Sequence, residues 1–303
     1  MIRRRLAAWL LGILAVHALA FLMVRATRGG PFDEERALPP ETVAALREQY
    51  GLDDPMPLQY LRALRGLASL DFGPSLRYRD TEVRTLLADA LPVSLGLGGG
   101  ALLLALLVGC SAGLWAAARA GRAADHAVTV GATLLLALPN FVLAGFAVAL
   151  FTFTLGWLPP AGNGGLRHFL LPCASLGLPL AAQIARLTRG AAREVWGSDA
   201  VRAARAQGLA PRTILLRFVL RPSLVPVVAF LGPATAALLT GSLVVEQVFA
   251  LPGLGTHFVQ AALNRDYTLA LGVTVVYTAL LGLCTLLADL LLARLDPRVE
   301  ALS

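Results

Sequence analysis

The sequence predicts an all-α membrane protein with six transmembrane helices, and three observations carry that reading. Hydrophobic residues make up 57% of the 303 residues and the mean hydropathy is +0.69, a balance found in chains whose solvent is lipid. Six apolar runs occur, near 6–24, 93–118, 127–151, 169–185, 223–245 and 269–293. Each matches the roughly 20 helical residues that cross about 30 Å of hydrocarbon, the fourth with a short extension toward Leu187. The third observation is where the charge sits. All 26 basic residues are arginine and the net charge is +7. In a soluble protein that excess would suggest nucleic acid. Here the arginines gather between apolar runs, so they report topology, and no nucleic-acid partner is inferred.

The first run, LAAWLLGILAVHALAFLMV, follows Arg3, Arg4 and Arg5. A signal peptide also has a basic start and an apolar middle. This run is longer than a typical signal core and no small-residue cleavage site follows it, so residues 1–24 read as a retained N-terminal transmembrane helix. His17 within it is either packed neutral against its neighbours or a proton-relay group.

Residues 25–92 form the one substantial polar region, with nine arginines and eleven acidic residues up to position 90. Pro39 and Pro40 precede ETVAALREQYG, in which Val43, Leu46 and Tyr50 recur at helical spacing and Gly51 ends the pattern. A second amphipathic stretch follows, LDDPMPLQYLRALRGLASLDFGPSL.

The remaining five runs contain many glycines and prolines, among them Gly96, Gly98 to Gly100, Pro139, Pro179, Pro226 and Gly232-Pro233. Such residues permit close helix approach and kinks where neighbours satisfy the freed backbone groups. Cys110, Cys173 and Cys284 fall in apolar runs at unrelated spacings and read as small buried hydrophobes, with no disulfide framework or zinc site.

Links 119–126 and 186–222 carry two and eight arginines; with Arg3 to Arg5, Arg294 and Arg298, one face collects fifteen. The opposite links, 152–168 and 246–268, hold only Arg167 and Arg265. The positive-inside rule therefore puts both termini and the central link in the cytoplasm.

The central link holds GSDAVRAARAQGLAPRTILLRFVLRPSLVP, residues 197–226. Alanine, arginine and glutamine favour helix, Gly208 is a natural stop, and Pro211 suits the first turn of a second helix re-entering the membrane near Pro222. A charged elbow of this kind lies outside hydrocarbon, and its small residues leave a face that another protein's groove can approach.

Ala203-Ala204, then Gly208, an apolar run and a proline resemble the coupling loop of ABC importer permeases. DAVRAARAQGLAPRTILLRFVLRPSLVPVV is similar to the dipeptide, oligopeptide and nickel branch, the binding-protein-dependent transport inner membrane components. Three other stretches look alike in the same way: GLDDPMPLQY, EQVFALPGLG and the closing LADLLLARLDPRVE with Asp296-Pro297-Arg298. Arg202 stands where the wider superfamily has glutamate, as is common in the peptide branch, whereas Ala200 and Pro222 depart from the branch pattern.

The resemblance implies a type I ABC importer permease fold. In it, 25–92 is an extracytoplasmic region and 93–303 a five-helix permease core with its cytoplasmic coupling loop at 186–222. It implies that Asp199, Arg202, Ala203, Ala204, Arg205 and Gly208 meet the ATPase. Glu246, Gln247, Pro252, Gly253 and Gly255 form the family's second signature, at the outer end of the fifth helix. Glu246 there either accepts hydrogen bonds from the adjacent turn or meets a substrate amine. The implied partners are a second homologous permease, two ABC ATPase subunits that bind ATP and Mg, an extracytoplasmic substrate-binding protein, a peptide substrate and membrane lipid. The implied place is the bacterial inner membrane. Nickel chelates, glutathione and peptide conjugates are alternative cargoes.

No enzyme chemistry is legible. A chain without lysine has no GxxxxGK[ST] phosphate loop, and HExxH and CxxC are absent. His17, His126, His168 and His257 lie far apart in sequence. No cofactor is expected in this chain. An ion-coupled secondary transporter is the competing class; it needs intramembrane acids or inverted repeats, and only Glu246 and Asp289 lie near a run, both at ends. A membrane scaffold protein is the third.

Overall fold

A computed structural model of the chain describes residues 2–26, 41, 51, 53–78 and 81–295. The helix expected over 41–51 and the closing Asp296-Pro297-Arg298 lie outside the described residues. The regular secondary structure of the described residues is helical apart from one isolated bridge between Pro74 and Glu82. The helices are α1 (Ile2–Ala26), α2 (Met56–Ser69), α3 (Val83–Ala118), α4 (Ala123–Ala137), α5 (Asn140–Ala147), α6 (Leu166–Trp196), α7 (Asp199–Ala206), α8 (Pro211–Ile214), α9 (Leu220–Val248), α10 (Leu254–Leu263) and α11 (Tyr267–Leu295). Five helical stretches are long and apolar enough to cross a membrane, and α4 with α5 and its continuation makes a sixth if that bent pair is one span.

The third run departs from the straight crossing expected at 127–151. Helix α4 ends at Ala137, α5 begins at Asn140, and the two halves meet at 103°. Pro139 is the cause. Its ring drives the preceding residue out of the helical region, and Leu138 sits at φ −97°, ψ 131°. Helix α5 then continues as a π-helical turn, Val148–Thr154.

The fourth run is longer than expected. Helix α6 does not stop near Leu187 but continues through Arg186, Arg189 and Arg193 to Trp196. Its 31 residues span about 46 Å, well beyond a bilayer core of about 30 Å, so its arginine-bearing end projects beyond the hydrocarbon. Within its most apolar window 61% of residues are buried, against 11–22% in the other candidate spans. Helix α6 is therefore the centre of its unit, packed against α4, α5 and α9.

Two compact units emerge from the described contacts. The larger comprises Ser94–Leu251 and the chain from Leu281 onward. Its close helix packing comes from glycine: a Cβ at Gly109 would stand 2.6 Å from the Ala181 carbonyl oxygen, and one at Gly113 equally close to that of Ala185. Gly177 approaches Ala101 in the same manner. Gly109 and Gly113 are four apart on α3, the spacing that lets two membrane helices bring their backbones together.

The smaller unit comprises Ile2–Val93 and Pro252–Leu280. Its core joins Val83, Leu87 and Ala90 with Leu254, Ala261, Leu269 and Val273. His17 is buried against the ring of Tyr60, 5.7 Å between centroids, which is the packed reading of that residue. Asp266 is buried and organises this unit. It accepts hydrogen bonds from Ser75 Oγ, from Thr268 Oγ1 at 3.0 Å and from the N–H groups of Leu76 at 3.2 Å and Leu269 at 3.1 Å. The last is the cap of α11, so one carboxylate ties the segment before α3 to the start of the last helix.

Candidate functional site

The elbow forms as two helices around a left-handed glycine. Ser198 caps α7, its hydroxyl oxygen accepting from the Val201 N–H at 3.4 Å. Asp199 lies in the first turn and Arg205 in the last, the charge order that complements the helix dipole. Gly208 adopts φ +77°, where a Cβ is strained, and Leu209 N–H then bonds back to the Ala204 carbonyl at 3.2 Å. Pro211 opens α8 at a position whose N–H needs no partner. The stop and restart lie where the composition indicated.

Helix α7 has two faces. Val201 and Ala204 are buried in a cluster with Ala117, Ala192, Ile214 and Val219. Asp199, Arg202, Ala203, Arg205 and Ala206 are exposed. Of the two alanines in the motif, Ala203 faces outward and Ala204 anchors the elbow to α3, α6 and α8. Asp199 and Arg202 form an ion pair one turn apart on the exposed face. Arg205 lies over the ring of Trp196 at 5.3 Å, covering the end of α6.

Beyond α8 the chain passes through a π-helical turn, Leu215–Val219, into α9, and Pro211–Val248 is one continuous candidate span. The wide turn directly precedes Pro222, which cannot complete the helical ladder to the carbonyl four residues back. Ser223 Oγ donates to the Val219 carbonyl at 2.7 Å.

Sequence reasoning missed the carboxylate that holds the neighbouring link. Asp125, in the first turn of α4, is 3% exposed and takes both Nε and Nη2 of Arg189, the latter at 3.0 Å. It also accepts from the Gly121 N–H at 2.9 Å. The pair binds the link 119–122 to α6 two turns before the elbow. The pattern was visible in retrospect: an acid just after an arginine-bearing link, facing a long arginine helix.

The second signature is dispersed by the fold. Glu246 is fully buried near the end of α9 and accepts from Ser94 Oγ on α3 at 2.8 Å, so the structure uses it as an interhelical anchor. Gln247 and Pro252 are exposed. Ala250 takes φ 48° and the Leu251 N–H closes the turn on the Glu246 carbonyl at 2.9 Å. Gly253 caps α10 with extended backbone and Gly255 is buried in its first turn.

A small cavity of about 210 Å³ lies in the larger unit at the break of the third run, where Asn140 and Gln183 put two carboxamides among Leu176, Pro179, Phe230 and Leu238. Among the described residues no cluster of metal-ligating side chains occurs.

Residues 109–301 match the family described as binding-protein-dependent transport system inner membrane component. The oligopeptide transport system permease protein OppB of Salmonella typhimurium is 44% identical over 284 residues, 93% of each chain. The dipeptide transport system permease protein DppB of Bacillus subtilis is 38% identical over 288 residues, 95% of this chain and 94% of that one. The MetNI methionine ABC transporter, solved in inward-facing conformations, covers 70% of this chain and 96% of its own with a TM-score of 0.54. At 18% identity that likeness is one of fold.

Proposed function

Since the chain belongs to the binding-protein-dependent transport system inner membrane components, as a permease subunit of a peptide ABC importer, we propose that its elbow is the part on which the ATPase acts. The observation that carries this is the two-faced helix α7. Its inner face is locked into the permease through Val201 and Ala204, while the Asp199–Arg202 ion pair and Ala203 lie exposed on the outer face.

The chain pairs with a second, homologous permease to enclose the path for di- or oligopeptides. Two ABC ATPases hold ATP and Mg and receive α7 from each permease in a cleft; an extracytoplasmic binding protein delivers the peptide. Both termini, the link 119–122 and the elbow are cytoplasmic, and the region 25–92 is extracytoplasmic. When the ATPase pair closes, it moves α7. Because α6 runs as one helix from the membrane to the elbow, and Asp125 clamps it to the adjoining link, the motion reaches the membrane helices as a rigid tilt. ATP binding then biases one of two states, open to either side.

Cysteine placed at Ala203 tests this, with Cys110, Cys173 and Cys284 replaced. In inside-out vesicles a membrane-impermeant maleimide should label it when the ATPases are stripped off and not when they are restored. Labelling from the outer face, or labelling indifferent to the ATPases, overturns the reading.

A further inference from the structure

The elbow and the link 119–122 enclose an open groove of about 750 Å³ in the larger unit. Four arginines line it, Arg119 and Arg122 from one side and Arg205 and Arg212 from the other, with Trp196 and Leu215 also in the lining. Among the described residues no carboxylate lines it. Trp196 also leaves its buried indole N–H without an acceptor. Four arginines around one space call for an anion with several acceptor oxygens.

The surroundings identify the kind of anion. Arg119 lies over the ring of Trp115, 4.9 Å from its centroid, and Trp115 is 47% exposed three residues before the end of the membrane-crossing α3. An exposed tryptophan at the end of a membrane helix marks the headgroup level of the bilayer. Ala117 and Ala118, the last residues of that helix, line the groove as well, and Leu216 beside it is 52% exposed. The groove is thus basic at headgroup depth and apolar where it meets the membrane helix. Asp199, Arg202 and Ala203, the outward residues of α7, are not among its lining.

We propose that this groove binds the phosphate headgroup of an anionic phospholipid, with an acyl chain lying along the end of α3. The site shares Arg205 with the elbow but not Asp199, Arg202 or Ala203, and its lipid binding does not depend on the coupling role. A basic pocket between helix ends at a membrane face holds an acidic lipid through several charge-assisted bonds at once. Bound there, the lipid neutralises the mutual repulsion of the four arginines and joins the elbow to the link 119–122.

The test uses the full transporter complex in nanodiscs of phosphatidylcholine containing phosphatidylglycerol, released for native mass spectrometry. The variant Arg122→Gln with Arg212→Gln takes one charge from each wall and leaves the other arginines to set topology. Each arginine near an anionic surface contributes about fivefold to lipid affinity, so retained phosphatidylglycerol should bind roughly thirtyfold more weakly in the pair. The companion Arg122→Lys with Arg212→Lys keeps the charges and should hold most of the lipid, which separates lost binding from lost folding. Retention of phosphatidylglycerol unchanged by the glutamine pair overturns the proposal. So does loss of the ATPase from the glutamine pair with lipid retention unaltered, which would assign the groove to an acidic surface of that subunit.

Discussion

Arg189 and Asp125 meet as a two-pronged ion pair, with the guanidinium Nη2 3.0 Å from the carboxylate and its Nε bonded to the other oxygen. The carboxylate is 4% exposed and the guanidinium 26%, so removing one partner strands a charge that water reaches poorly. Arg189→Met or Asp125→Leu alone should lower the melting temperature of the purified complex by roughly 5 °C, and the two together by clearly less than the sum. Additive losses would mean that the two residues act independently.

Ala203 and Ala204 are neighbours with opposite fates. Ala204→Glu forces a carboxylate into the cluster of Val201, Ile214 and Val219, at a cost of several kcal/mol. The elbow should open, and trypsin should cut at Arg202 and Arg205. Ala203→Glu should leave the elbow resistant to trypsin and abolish peptide uptake while ATP hydrolysis persists. Equal trypsin sensitivity in the two variants would contradict the two-faced helix.

Gly208 is needed for its backbone and not for space, since a Cβ there would meet nothing within 4 Å at φ +77°. Alanine should therefore cost only about 1–2 kcal/mol, asparagine less, and proline, held near φ −65°, the most. Uptake should fall in the order glycine, asparagine, alanine, proline. Wild-type uptake by the proline variant would refute the turn.

Glycines on α3 divide into two kinds. Gly113→Ala must push α3 from α6 and should destabilise by about 1–3 kcal/mol in thermal unfolding. Gly99 has no heavy atom within 4 Å of a Cβ, so Gly99→Ala should be neutral or stabilise by up to about 1 kcal/mol through helix propensity. Matching losses at both positions would show that another helix packs on Gly99 in the assembled transporter.

The sequence by itself determined what depends on local order. Runs of apolar residues mark the candidate crossings, and Ser198, Gly208 and Pro211 punctuate the elbow, because solvent preference and backbone freedom are properties of single residues and their neighbours. Tertiary structure alone decided which residues meet. Gly98 and Gly99 read in sequence like the other glycines of the spans, yet a Cβ there meets nothing within 4 Å while Gly109, Gly113 and Gly177 make close approaches to backbone, because only the facing helix determines where a Cβ has no room. Glu246 near its membrane boundary read as an adhesive group for a turn or a substrate, and the fold buries it on Ser94, 152 positions away. Asp125 passed unnoticed for the same reason: its partner lies 64 residues on, across a bend of 103° that one proline imposes.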